Sequence, residues 1–338
     1  MASSERLEAI DRRRQKALES RLMRGDTLKL QGPTHRPNTL PSVDYPVYIS
    51  ASTTPPRPPH QLLLGNEGPA KSSSPWNLHL VEPLQVGANE EGEWSQVWRA
   101  EARAARTDDY PGNWKIQVVL KLYDEAFFPN PEGEDIPEED QWSRYTPEQL
   151  AENEARVYSR ARSLQGRDIC ICYGFYMFSV RDNEQVLGVI LEDLASTADD
   201  LGVYQVLMKK RGENTAEMVE SIALSAFGVL GRLHDCNVVS LVPTRFEAFV
   251  LREYEPKQHC LVFVGFGRSQ SREILEEVLK KFESDRIAPL SQSRQDRYWV
   301  HIDHYEMVFT LGAIFDAEFD VWWDREKKEN SLDLMAIL

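Results

Sequence analysis

The segment Ile116–Tyr123 limits the folds open to this chain more than any other. Ile116, Val118, Leu120 and Leu122 alternate with Val119 and Lys121, the period-two pattern of a strand with one buried face. A lysine on so apolar a strand needs either solvent or a counter-charge. Downstream, Thr146-Pro-Glu-Gln149 forms a capping box with proline at the first helical position, so a helix starts there. Leu150, Val157, Tyr158 and Ala161 make its apolar stripe, and Glu154 sits on the same stripe. An acid turned toward a core is costly unless it is paired. Lys121 and Glu154 are therefore candidates for an ion pair. The alternatives are a solvated strand face for Lys121 and a glutamate that reaches out to water.

Other elements follow from the same periodicities. Residues 78–86, 94–101, 169–180 and 185–191 read as strands. A long helix led by Asn214-Thr-Ala-Glu217 carries the stripe Met218, Ile222, Ser225/Ala226, Val229, Leu230 and Leu233. Two short strands are expected at 248–252 and 260–264. Upstream, residues 5–24 hold Leu7, Ile10, Leu18 and Leu22 at loosely helical spacing among Arg12, Arg13, Arg14, Lys16, Arg21 and Arg24. They read as a solvated basic helix or as a docking or localisation segment. From Pro33 through Thr53-Thr-Pro-Pro-Arg-Pro-Pro59 to Pro75 the composition is too poor in apolar residues to offset chain entropy. The expected organisation is α+β: a disordered N-terminal arm over 1–75 with a short basic helix, a β-rich unit over 76–195, and an α-rich unit over 196–338.

Several function classes are disfavoured by charge and composition. With 54 acidic against 39 basic residues, the formal charge of −15 repels a phosphate backbone, so nucleic acid is not an expected partner. The longest uncharged stretch near the middle, Ser221 to Gly231, falls far short of the ~20 residues a membrane helix needs. The N-terminus lacks the apolar core of a secretory signal. Cys170, Cys172, Cys236 and Cys260 are too sparse for a disulfide scaffold. Cys170 and Cys172 alternate with apolar residues and read as core rather than as a zinc site. Reduced cysteines fit an intracellular protein of the cytoplasm or nucleus. His301 and His304 are three apart with no convincing third ligand.

In combination, Val118-Val-Leu-Lys-Leu122, Glu154-Ala-Arg-Val-Tyr-Ser-Arg-Ala-Arg-Ser-Leu-Gln-Gly166, Leu233-His-Asp-Cys-Asn-Val-Val239 and Val264-Gly-Phe-Gly267 resemble the protein kinase superfamily over residues 80–315. The resemblance is nearest to the divergent kinase-like proteins of filamentous fungi. It implies a bilobal fold with a β-rich small lobe and a shortened α-helical large lobe. It also implies that Lys121 holds ATP phosphates and that Glu154 pairs with it. Leu191 would be the gatekeeper beside adenine, with Glu192 to Leu194 as the hinge backbone. Of the three glycine positions over the phosphates, occupied by Glu90, Gly92 and Ser95, only Gly92 is glycine. Glu90 and Glu91 would repel phosphate, and a plain hairpin is the alternative for this segment.

The resemblance also marks what is missing. Val242 stands where the catalytic base belongs, and valine cannot accept a proton. Gly265 replaces the aspartate that would hold magnesium. Glu247 replaces an asparagine and is a weak candidate for a metal ligand. No catalytic residue is intact on this reading. The expected function is a pseudokinase that binds or regulates a protein partner, with no required cofactor and at most weak ATP binding. The alternative is a divergent phosphotransferase using Glu247 for metal and Asp235 as base. A third possibility is a truncated remnant, since only a short segment follows Phe309-Thr-Leu-Gly-Ala313.

Overall fold

The computed structural model describes residues 2–31, 76–85, 95–104, 115–128, 146–180, 184–194, 216–240, 249–255, 258–263 and 269–271. The chain divides into two compact units, Met1–Ala155 with Ile171–Asp193, and Arg156–Cys170 with Leu194–Leu338.

The first unit opens with helix α1 (Ala2–Glu19) and strand β1 (Thr27–Gln31). Strands β2 (Trp76–Gln85), β3 (Gln96–Ala104) and β4 (Lys115–Tyr123) follow, and a 3-10 turn at Glu125–Phe127 continues directly from β4. Helix α2 (Pro147–Arg160) precedes β5 (Cys172–Ser179) and β6 (Gln185–Glu192). The six strands close into an antiparallel barrel in the order β1-β2-β3-β4-β6-β5. Its interior is built by alternation: Leu78 and Leu80 from β2, Ala100 and Ala102 from β3, and Val118, Leu120 and Leu122 from β4. They pack with Trp98, Tyr173, Phe178 and Ile190 in one core. Two irregularities bend the wall. Pro83, which has no N–H for the ladder, sits beside register shifts in β2. Gly174 follows a shift in β5 and takes φ +129°, open to glycine but strained for other residues.

In the second unit, helix α3 (Ala216–Asp235) packs on β7 (Val238–Ser240) and on the hairpin of β8 (Phe249–Glu255) and β9 (Gln258–Phe263). Strand β10 (Ser269–Ser271) pairs with β7. The buried face of α3 includes Ala226, Val229, Leu230 and Leu233, as its periodicity predicts. Arg232 clamps Asp168 with two parallel bonds of 2.9 and 2.7 Å, tying α3 to the turn after α2.

The architecture corrects the bilobal, protein-kinase-like expectation. The first unit is a closed six-stranded barrel. The sixth strand is β1, which lies in what was expected to be a disordered arm. Thr27-Leu-Lys-Leu-Gln31 alternates, and Leu28 and Leu30 enter the barrel core. β1 pairs antiparallel with β2 on one side and β5 on the other, so it satisfies two ladders that would otherwise end in open edges. A helical large lobe is not found either: the described residues of 196–338 form one α-helix and two two-stranded sheets. The Pro-rich tract of 33–75 lies outside the described residues.

Candidate functional site

Alternation along β4 sends Val118, Leu120 and Leu122 into the barrel and places Val119, Lys121 and Tyr123 on the outer face. In register with Lys121 are Val97 of β3 and Val189 of β6, so apolar side chains flank its stem. Helix α2 brings Glu154 to the same face. The helix is fixed at its start by reciprocal caps. Thr146 N–H donates to Gln149 Oε1 at 2.9 Å, and Gln149 N–H donates to Thr146 Oγ1 at 3.3 Å. Glu154 lies two turns beyond this cap, which determines the face on which it emerges.

Lys121 Nζ lies 2.5 Å from Glu154 Oε2. The Tyr123 hydroxyl donates to the same oxygen, and the ammonium stands 5.2 Å from the Tyr123 ring centroid. The glutamate side chain is 1% exposed and the lysine 14%. One carboxylate oxygen thus accepts from two donors. The other, Oε1, is buried with no hydrogen-bond partner. Burial, reinforced by the Glu154 charge and hydrogen bond, holds the Tyr123 hydroxyl well above the ordinary tyrosine range. Tyr123 therefore stays a donor at neutral pH. The result is a cation held in place by a buried anion, on a side chain that keeps a small exposure. An ammonium has three donors, so Lys121 has capacity left for an anionic group.

The other expected site residues are distributed differently. Leu191 is buried in β6, in register with Val119 and Cys172. Glu192, at the end of β6, turns its carboxylate onto the backbone: Ile171 N–H donates to its Oε2 at 3.1 Å, and Glu192 N–H donates to the Ile171 carbonyl at 2.8 Å. That side chain ties β6 to the start of β5. Leu194 is buried and belongs to the second unit. Asp235 is exposed at the end of α3. Gly92, Val242, Glu247 and Gly265 lie outside the described residues, as do Glu90, Glu91, His301 and His304. Among the described residues no group of three or more His, Cys, Asp or Glu side chains is placed to hold a metal. No described helix is long and apolar enough to cross a membrane.

Two side-chain interactions near these residues were not anticipated. Tyr123 is the second donor on Glu154, and its position two residues after Lys121 on one strand was the available signal. Asp193, following Glu192, pairs with Arg99 at 3.0 Å, and Arg99 reaches Glu82 at 2.5 Å. This bridges the end of β6 to β3 and β2.

These elements define a closed antiparallel barrel that presents a tethered lysine–glutamate–tyrosine cluster on its outer face. No protein-family model matches the chain, and no curated protein matches it.

Proposed function

We propose that the chain is a non-catalytic binding or regulatory module of the pseudokinase kind, working inside the cell through a protein partner. The observation that carries the reading is the Lys121–Glu154 pair, 2.5 Å apart on elements 33 residues distant in sequence. A lysine held by a buried glutamate is the arrangement that phosphate-binding lysines of the protein kinase superfamily use. The sequence supplies the other half of the reading. Val242 and Gly265 offer no oxygen at the positions where the resemblance calls for a base and a magnesium ligand. The barrel replaces the expected bilobal architecture, so the proposal rests on the cluster and the sequence motifs.

The test is ligand-dependent melting of the full chain. ATP is titrated with and without magnesium, since a ligand that binds the native state raises the melting temperature by mass action. The expected result is no magnesium-dependent rise and no transfer of labelled phosphate to a generic protein substrate. Phosphate transfer that Lys121→Met abolishes would establish a phosphotransferase instead, and Glu247 and Asp235 would be the first residues to replace.

A further inference from the structure

The barrel is completed by a segment that stands apart from it in sequence. Strand β1 reaches its neighbours only after residues 32–75 on one side, and from β5 it is separated by most of the first unit. Its ladders are short: Thr27, Leu28 and Lys29 face His79, Leu78 and Asn77, while Lys29, Leu30 and Gln31 face Ser179, Phe178 and Met177. Two further backbone bonds support the entry, Gly25 N–H to the Leu80 carbonyl at 2.9 Å and Leu80 N–H to the Asp26 carbonyl at 2.8 Å. Leu22, Leu28 and Leu30 join the barrel core.

Helix α1 is docked by charge and by a small apolar contact. Arg13 bridges two acids from different parts of the unit, Glu125 in the turn after β4 and Glu184 before β6. Arg14 donates to the Ala126 carbonyl at 3.1 Å and to the Phe128 carbonyl at 2.5 Å. Ala17 packs on Ala126 and Phe127. The Arg13 side chain is 40% exposed and that of Glu125 51%, so dissolved ions weaken the contact. A short two-sided strand, a solvent-accessible ionic anchor and a remote covalent tether together describe a ligand attached to its receptor.

We propose that residues 2–31 form an intramolecular strap that binds the barrel in the manner of β-strand addition and exchanges with the same segment of a second copy of this chain. Complementarity to a second copy is built in, because the receiving edges of β2 and β5 and the acids Glu125 and Glu184 recur unchanged in it. The strap stands independently of the pseudokinase reading, since it uses neither Lys121 nor Glu154.

The experiment starts from the full-length chain with a protease site inserted within residues 40–60 and cut after purification. The probe is a fluorescent synthetic peptide of residues 1–31. At about 0.05 M salt, where surface charges are weakly screened, the cut N-terminal piece should co-elute with the remainder, and labelled peptide should replace it on incubation. Arg13→Glu should speed replacement about tenfold by turning two attractions into repulsions. Glu184→Arg in the same chain should restore much of the slower rate. The proposal is overturned if the cut piece separates at once, if the peptide never enters, or if Arg13→Glu leaves the rate unchanged. It is equally overturned if Arg13→Glu abolishes folding and Glu184→Arg fails to recover it.

Discussion

Replacing Glu154 by glutamine keeps the shape of the side chain and removes its charge, which makes it the sharpest probe of the outer-face cluster. In the native chain Glu154 Oε2 accepts from both Lys121 and Tyr123 at a site 1% exposed. With glutamine, Tyr123 retains an acceptor, but the Lys121 ammonium loses its counter-charge in a setting only 14% exposed. Removing one partner of a buried pair costs about 3–5 kcal/mol, and the partial exposure of Lys121 places this case at about 3 kcal/mol. A cooperative unit of this size shifts by about 2–4 °C per kcal/mol, so Tm should fall by about 6–12 °C. The measurement is urea unfolding followed by far-ultraviolet circular dichroism, for Glu154→Gln, Lys121→Met and the double variant. The double variant should be less destabilised than the sum of the singles by about 2 kcal/mol, because it no longer strands a charge. A Glu154→Gln loss under about 1 kcal/mol, or additive singles, would show that the pair is solvated and that the buried-cluster argument is wrong.

Alkaline pH provides a second test. The Tyr123 hydroxyl is held well above the ordinary range, so its contribution to stability is fully present below the unfolded value of about 10 and is lost as pH rises toward the folded one. Denaturation midpoints measured between about pH 9 and 12 should therefore fall, and Tyr123→Phe should flatten that decline; an unchanged slope would remove Tyr123 from the account. A third test concerns the strand that backs β4. A Cβ at Gly188 would meet Phe178 at 2.8 Å, Leu122 at 2.9 Å and the Lys121 carbonyl at 2.9 Å. Gly188→Ala should cost about 1–3 kcal/mol by overpacking, read as a lowered urea midpoint, and a neutral result would mean that β4 and β6 lie further apart than described.

The sequence was most readable where a single period ran uninterrupted. Alternation from Ile116 to Leu122 sorted β4 into its two faces, and Thr146 with Gln149 marked the start of α2, so the position of Glu154 on its helix followed. The closing strand was missed because Thr27–Gln31 offers only five residues of alternation between a basic helix and a Pro-rich tract, too short a window to outweigh its surroundings. Without that strand the remaining ones read as a β-rich lobe rather than as a closed barrel. Docking of α1 was also illegible. Arg13 and Arg14 read as part of a solvated face, and their partners, Glu125, Glu184 and two carbonyls, are remote in sequence. The α-rich unit over 196–338 was read from element order and then given a kinase-like shape by resemblance, and resemblance carries architecture only as far as the topology agrees.

The position of β1 also dictates the timetable of biosynthesis. At translation rates of about 5–20 residues per second, its second partner leaves the ribosome about 150 residues later, a delay of roughly 8–30 seconds. Through that interval Leu28 and Leu30 have no finished core to enter, and β1, already able to pair with β2, carries an unclaimed edge on the side that β5 will occupy. Closure of the barrel therefore has to wait for β5 and β6, the last strands of the first unit to be synthesised.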